Sequence, residues 1–244
     1  MNIGIICALF REAHSFTKEE IPPRTPVKLA NHDGITLLVS GAGPDNATAA
    51  TRLLLEQPMD CVFSFGVGGA LSSRLTPGTV VLPTTIWDWQ GGQHLLDNAY
   101  RDALLHSLST TALSICNDAL FCTDTLIDTT SRKQILHERN ACGAVDMESA
   151  AIVAAATEHG IPAVAVRIIF DTAATDFPPP IADNTGDFGQ VNLSGMLPAL
   201  FKYPSAIPTV IQLARDFSRT KKSMRQTAKH IVKLAGLQST SGAL

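Results

Sequence analysis

Residues 35–56 read ITLLVSGAGPDNATAATRLLLE. The first six, Ile35 to Ser40, are mostly apolar and favour a strand. Gly41-Ala42-Gly43 then turns the chain, and residues 45–56 place their apolar positions at helical spacing. Pro44 suits the first helical turn, where a missing N–H leaves nothing unpaired. The same alternation continues outward. Residues 2–9 form an apolar run that fits a strand buried on both faces, and residues 11–20 read as a short helix. Residues 21–34 hold three prolines and a glycine and read as loop or edge. Further strands are expected at 61–65, 79–83, 121–123, 144–147 and 163–170. Helices are expected at 101–109, 131–140 and 148–159, the last closed by Gly160. Residues 87–99 are polar and read as irregular. Residues 172–195, rich in Pro, Asp, Asn and Gly, read as a long loop of the kind that is usually functional. Two helices, near 196–217 and 219–235, close the chain. The alternation gives an α/β fold class: a three-layer α/β/α single domain around a mixed, mostly parallel central sheet.

Composition narrows the function. With 244 residues, 45% hydrophobic, the chain buries a core without staples and is not disordered. No run of about 18 apolar residues exists to span a membrane. The N-terminal apolar stretch has no basic region before it, so it reads as a strand rather than a signal peptide. Five cysteines, an odd number with no CxxC pair, argue against a disulfide framework or a zinc site and place the chain in a reducing cytoplasm. Seven scattered histidines without an HExxH spacing predict no metal. The net charge of −3 is uneven, because eight Lys/Arg and a single acid lie beyond residue 200. Residues 1–200 therefore read as the α/β domain and 201–244 as its basic C-terminal helical extension. That extension is either a solvated face or a contact for something anionic.

Several residues stand where chemistry is done. Gly41 and Gly43 lie between a strand and a helix, where backbone can approach an oxygen-rich or anionic ligand. A dinucleotide fingerprint would need a third glycine, and Asn46 stands there instead. Gly66-Val67-Gly68-Gly69-Ala70 also follows a strand and reads as a loop close to a ligand. It lacks the Lys and Ser/Thr of a nucleoside triphosphate loop. Four acids, Glu12, Asp146, Glu148 and Asp171, sit just at or past the ends of strands, where ligands of α/β sheets gather. Carboxyl groups in unlike environments divide into an acid and a base, while the plainer alternative for each is a helix cap or a surface charge. No Ser sits in a GxSxG turn, so no hydrolase triad assembles. Trp87 and Trp89 line a pocket or pack on one sheet face.

Five segments together are familiar: IGIICALFREA, SGAGPDNA, SFGVGGAL with LTPGTVVLP, GAVDMESAAI and VAVRIIFD. In this order and spacing the chain resembles the purine nucleoside phosphorylase and nucleosidase superfamily. The stretches DTAATDFPPP and LPALFKYPSAIPTVIQLARDFSR resemble its hopanoid-associated branch, whose members release adenine from adenosylhopane. The resemblance implies that Asp171 protonates the purine at N7 and contacts the 6-amino group, since Asn commonly stands there in branches acting on 6-oxopurines. Glu148 and Met147 match the pair that holds the ribose. Glu12 matches the base that activates water. Leu126 and Ile127 fall where backbone meets the base edge. Gly41, Gly43, Val67, Gly68 and Asp146 complete the implied substrate site. Phosphorylases of this superfamily usually carry Arg and Ser where Phe65 and Val67 stand here, so water is favoured over phosphate as acceptor. Arg11, beside Glu12, keeps phosphate in play as a co-substrate; no other cofactor is implied. Phe170 replaces the Ser or Ala common before Asp171.

The expected partner is a small-molecule or lipid-linked nucleoside, with no nucleic acid. Arg215, Arg219, Lys221, Lys222, Arg225, Lys229 and Lys233 suit a peripheral membrane contact. Family members commonly form homo-oligomers. The alternatives are a methylthioadenosine/adenosylhomocysteine nucleosidase, a futalosine hydrolase and, outside enzymes, a purine-binding sensor.

Overall fold

In the computed structural model, residues 1–96, 98–177, 186, 188, 189, 202 and 207–237 are described. Their strands are β1 (Ile3–Cys7), β2 (Val27–Lys28), β3 (Ile35–Val39), β4 (Cys61–Ala70), β5 (Val80–Val81), β6 (Thr85–Asp88), β7 (Gln93–Leu95), β8 (Ile115–Cys116), β9 (Leu120–Cys122), β10 (Ala144–Asp146) and β11 (Ala163–Asp171). The helices are α1 (Phe10–Ala13), α2 (Pro44–Leu54), α3 (Ala99–Ser109), α4 (Thr130–Asn140), α5 (Ser149–Glu158) and, last in the chain, a helix labelled α6 (Ile207–Leu237).

The strands form one mixed sheet in the order β2-β3-β1-β4-β10-β9-β6-β7, with β11 joining β4 to β5 and β5 joining β8. Six of the ten pairings are parallel, as βα units require. Successive residues of β1, β3 and β4 point to opposite faces, and both faces are covered. Ile3, Ile5, Leu37, Phe63 and Phe65 pack against α1, α3 and α6. Ile6, Leu38 and Val62 pack against α2 and α5. That double burial is why these strands read as continuous apolar runs rather than alternating ones. Each fully buried Ile or Leu contributes about 1.5–3 kcal/mol.

Strand β4 organises the sheet around the site. Its first half pairs with β1, from Ile3–Cys61 to Ile6–Ser64, and its far end pairs with β10 at Gly69 and Ala70. Strand β11 follows it on the other side from Val62 to Gly69. Between Phe65 and Gly68 no strand among the described residues lies on the β1/β10 side of β4, and the sheet opens there.

Four expectations need correction. Residues 66–70 belong to β4 rather than to a loop, because β11 and β10 supply their ladder. The helix expected over 11–20 is a single turn, Phe10–Ala13. Residues 87–99 are not irregular: β6 and β7 form a hairpin. Asp88 closes it by accepting from the N–H groups of Gln90 and Gly92 and pairing with His94, while Gly91 supplies a φ of +87°. Trp87 packs there against the cluster of Phe121 and Val145. Finally, the described part of the chain end is one helix, not two. No Pro or Gly interrupts residues 209–235, so nothing breaks it near 218. Residues 196–201 and 203–206 lie outside the described residues, as does most of 178–195.

Helix α6 is amphipathic. Leu213, Met224, Ala228, Ile231, Leu234 and Ala235 are buried, and Thr220 donates to the Ile169 carbonyl of β11 at 2.8 Å. Arg215, Arg219, Lys221, Lys222, Arg225, Lys229 and Lys233 are all exposed, which places them on the face turned away from the core.

Candidate active site

Glu12 occupies the gap in the sheet. It is the third residue of α1, and its Oε2 accepts from the Leu9 N–H at 2.9 Å, satisfying one donor at the start of the helix. Its Oε1 accepts from the Val67 N–H of β4 at 2.8 Å. Glu12 thus supplies the hydrogen bond that a neighbouring strand would otherwise make. A Cβ on Gly66 would lie 2.5 Å from Glu12 Oε1, and one on Gly69 would lie 3.3 Å from both carboxylate oxygens of Asp171. The glycines of this strand leave room for two buried carboxylates, which explains them better than a turn does. Gly66→Ala is expected to displace Glu12 and lower turnover by about ten- to a hundredfold in a chain that still folds. Turnover assays beside thermal melting check this, and full activity in the variant would contradict it.

Asp146 ends β10 and accepts at Oδ2 from the N–H groups of Glu148 and Ser149, capping α5. It also takes Arg167 of β11, whose Nε and Nη2 approach Oδ2 at 2.8 and 2.7 Å. Arg167 donates further to the Ser64 carbonyl and hydroxyl. Because Asp146 does the capping, Glu148 is released toward the cavity. Its Oε1 accepts from the Gly43 N–H at 2.8 Å. The anion at the start of α2 is therefore the protein's own carboxylate. Gly43 holds Glu148 and Gly41 packs near Phe188. Ala42 is the residue of that turn that lines the cavity, with Gly41 and Gly43 on either side of it.

Asp171 ends β11, and Lys133 of α4 donates to its Oδ2 at 2.5 Å. Glu12, Asp146, Glu148 and Asp171 all line one cavity of about 650 Å³. Val67, Gly68, Leu126, Ile127 and Met147 line it too, as do Arg11, Phe170 and Phe177. Its outer wall comes from Val210, Leu213, Ala214 and Phe217 of α6. Phe217 meets Phe170 edge-on at 5.9 Å, and the Arg11 guanidinium lies over its ring at 5.4 Å.

Electrostatics separates these acids. Burial pushes the Glu12 carboxyl up from its ordinary value, and Arg167 with the Val67 and Leu9 N–H groups pulls it back. Burial, then the charge of Asp146, pushes Glu148 up to about 7. Burial raises Asp171 to about 6 against the pull of Lys133. Burial alone would lower Arg167, but Asp146, Glu148 and Glu12 outweigh it and keep the guanidinium charged.

Sequence reasoning missed Arg167, Lys133 and the wall from α6. Arg167 carried a readable signal, since a lone charge in the apolar run AVAVRIIF has to be paired when buried. Lys133 carried none, because it sits among Arg132 and Gln134 in a polar helix.

Residues 2–194 match the phosphorylase superfamily, and the chain belongs to it. Among its relatives is a 5′-methylthioadenosine/S-adenosylhomocysteine nucleosidase of Shewanella halifaxensis, 29% identical over 73% of this chain and 89% of that protein. Another of that name from Tolumonas auensis is 27% identical over 83% of this chain and 99% of its own length. In fold the chain is similar to the futalosine hydrolase of Helicobacter pylori, with a TM-score of 0.69, 15% identity and coverage of 96% and 97% of the two chains. A methylthioadenosine/adenosylhomocysteine nucleosidase of Neisseria meningitidis in complex with methylthio-immucillin-A gives a TM-score of 0.68, with 17% identity over 95% and 98%.

Proposed function

We propose that the chain cleaves the N-glycosidic bond of a 5′-substituted adenosine and releases adenine, with water as the acceptor. The observation that carries this is one cavity holding two unlike acids, Glu12 at the gap in the sheet and Asp171 at the end of β11. The C1′–N9 bond breaks and its electron pair goes to the purine. Asp171 gives a proton to N7, so that adenine leaves neutral. Glu12 takes a proton from water as the water oxygen bonds C1′. Glu148 accepts hydrogen bonds from the ribose hydroxyls, and Met147 packs on the sugar. The carboxylates stabilise the positive charge that develops on the ribosyl group. Phe65 is buried and Val67 offers no cation, which supports water over phosphate.

The preferred substrate is adenosylhopane, a lipid-linked nucleoside that would bring the enzyme to a membrane surface; the enzyme is read as cytoplasmic and, as is common in the resembled family, homo-oligomeric. The apolar wall from α6 supports a large apolar 5′ group. The exposed basic face of α6 supports contact with anionic head groups. The second reading is a nucleosidase for methylthioadenosine and adenosylhomocysteine, which are the substrates in the names of the two relatives. Futalosine, a 6-oxopurine nucleoside, fits Asp171 less well.

The test is adenine release from adenosine, methylthioadenosine and a long-chain 5′-alkyl adenosine, each with and without phosphate. Faster release from the long-chain compound, independent of phosphate, is expected. Release from methylthioadenosine with no gain from the long chain moves the assignment to the second reading. Membrane contact is tested by sedimentation with anionic vesicles after replacing Lys221, Lys222, Arg225 and Lys229 by Gln. Truncating the helix is unsuitable, because Met224, Ala228 and Ile231 belong to the core. Equal sedimentation of both proteins would remove the membrane role.

A further inference from the structure

We propose that Lys133 is a positioning residue for Asp171: it fixes the carboxylate, leaves one oxygen for the purine and locks the turn that borders the base pocket. The inference rests on the reading of Asp171 as the general acid.

Lys133 lies in the first turn of α4 and is 1% exposed. Its ammonium has three protons and three partners: Asp171 Oδ2 at 2.5 Å, the Thr172 carbonyl at 3.0 Å and the Thr175 carbonyl at 2.7 Å. The Phe177 ring centroid is 5.4 Å away. The turn it grips is tied internally as well, by the Thr172 and Thr175 hydroxyls at 2.8 Å. It is tied to α4 by Phe177 N–H donating to the Asp128 carbonyl and Thr130 N–H donating to Asp176. Lys133 takes Oδ2, so Oδ1, on a carboxylate that its own N–H also acts on, is the oxygen of Asp171 that can still meet a ligand in the cavity. A buried ion pair contributes little net stability compared with apolar residues of similar volume. The pair is better explained by what it does to Asp171 than by what it does for the fold.

Lys133 is also the charge that acts on Asp171 and lowers its pKa against burial. Among the described residues, the other charged groups around the cavity have partners of their own, Arg11 lying over the Phe217 ring. Glu12, Asp146, Glu148 and Arg167 act on one another. Asp128 pairs with Arg132, Asp176 accepts from Thr130, and Asp216 of α6 is held by Gln212 and Arg219.

The test compares kcat/KM against pH for adenine release from methylthioadenosine by the wild-type chain, Lys133→Met, Lys133→Arg and Asp171→Asn. A general acid works while it holds its proton, so activity falls as pH rises through its pKa. Removing the opposing charge raises that pKa by about 1–3 units, so the basic limb of Lys133→Met moves to higher pH. Its plateau falls about tenfold, in kcat more than in KM, as the carboxylate loses its fixed orientation. Lys133→Arg keeps the charge and leaves the limb in place. A limb unmoved in Lys133→Met, with Asp171→Asn inactive, overturns this inference alone. An active Asp171→Asn overturns the reading of the acid itself. Lys133→Gln is the second uncharged variant, and failure of both to fold overturns the proposal by making the pair a structural requirement.

Discussion

Asp171→Asn is expected to lower adenine release about a thousandfold, with KM little changed. The size follows from the chemistry: a positioned general acid contributes roughly 10²–10⁴-fold, and adenine leaves poorly without a proton. Asn keeps the shape of the side chain and can still meet the purine through its amide, so binding persists while proton donation stops. The environment of the acid makes the effect visible near neutral pH. Burial holds Asp171 near pH 6 rather than in the ordinary carboxylate range. The wild-type chain therefore has a basic limb in that region, and the variant lacks it. Measuring kcat and KM separately for both chains from about pH 5 to 8 decides the matter. Turnover within tenfold of wild type would remove Asp171 from the mechanism.

The second large effect falls on Arg167. Arg167→Met is expected to destabilise the chain by about 3–5 kcal/mol, the usual cost of removing one partner from a buried pair. In a domain of this size that is about 10 °C in Tm. Arg167 and Asp146 are both buried, with side chains 3% and 1% exposed, so water does not replace the lost partner. The Ser64 carbonyl and hydroxyl lose their donor as well. Activity falls too, because Arg167 is the cation that lowers Glu12 and Glu148 against burial. Without it Glu12 holds its proton to higher pH and stops accepting one from water. Adding Asp146→Asn to the variant removes the unpaired charge and should recover part of the Tm but none of the activity. Thermal melts of the three chains read this, and an unchanged Tm in Arg167→Met would show that the pair does not hold β10 to β11.

Both effects depend on residues that the chain brings together from far apart. The βα alternation, the apolar runs of β1, β3 and β11 and the small-residue helix α5 were legible from period and composition alone, because strands buried on both faces need unbroken apolar sequence. The acids Glu12, Glu148 and Asp171 were legible by their place at strand ends. What each does was not. Glu12 and Val67 meet only because β1 stops pairing with β4 before β10 begins. The glycines of β4 looked like a loop because nothing local records that Glu12 and Asp171 stand against them. Asp146 and Glu148, two residues apart, divide into a helix cap and a cavity-lining carboxylate only when Arg167 reaches one and Gly43 the other. Lys133 meets Asp171 across 38 residues of sequence, and α6 walls a cavity whose acids begin at residue 12. Local sequence encodes period, turns and caps, since those forces act over a few residues. Which charges share a buried space depends on long-range pairing, and only the tertiary structure decides it.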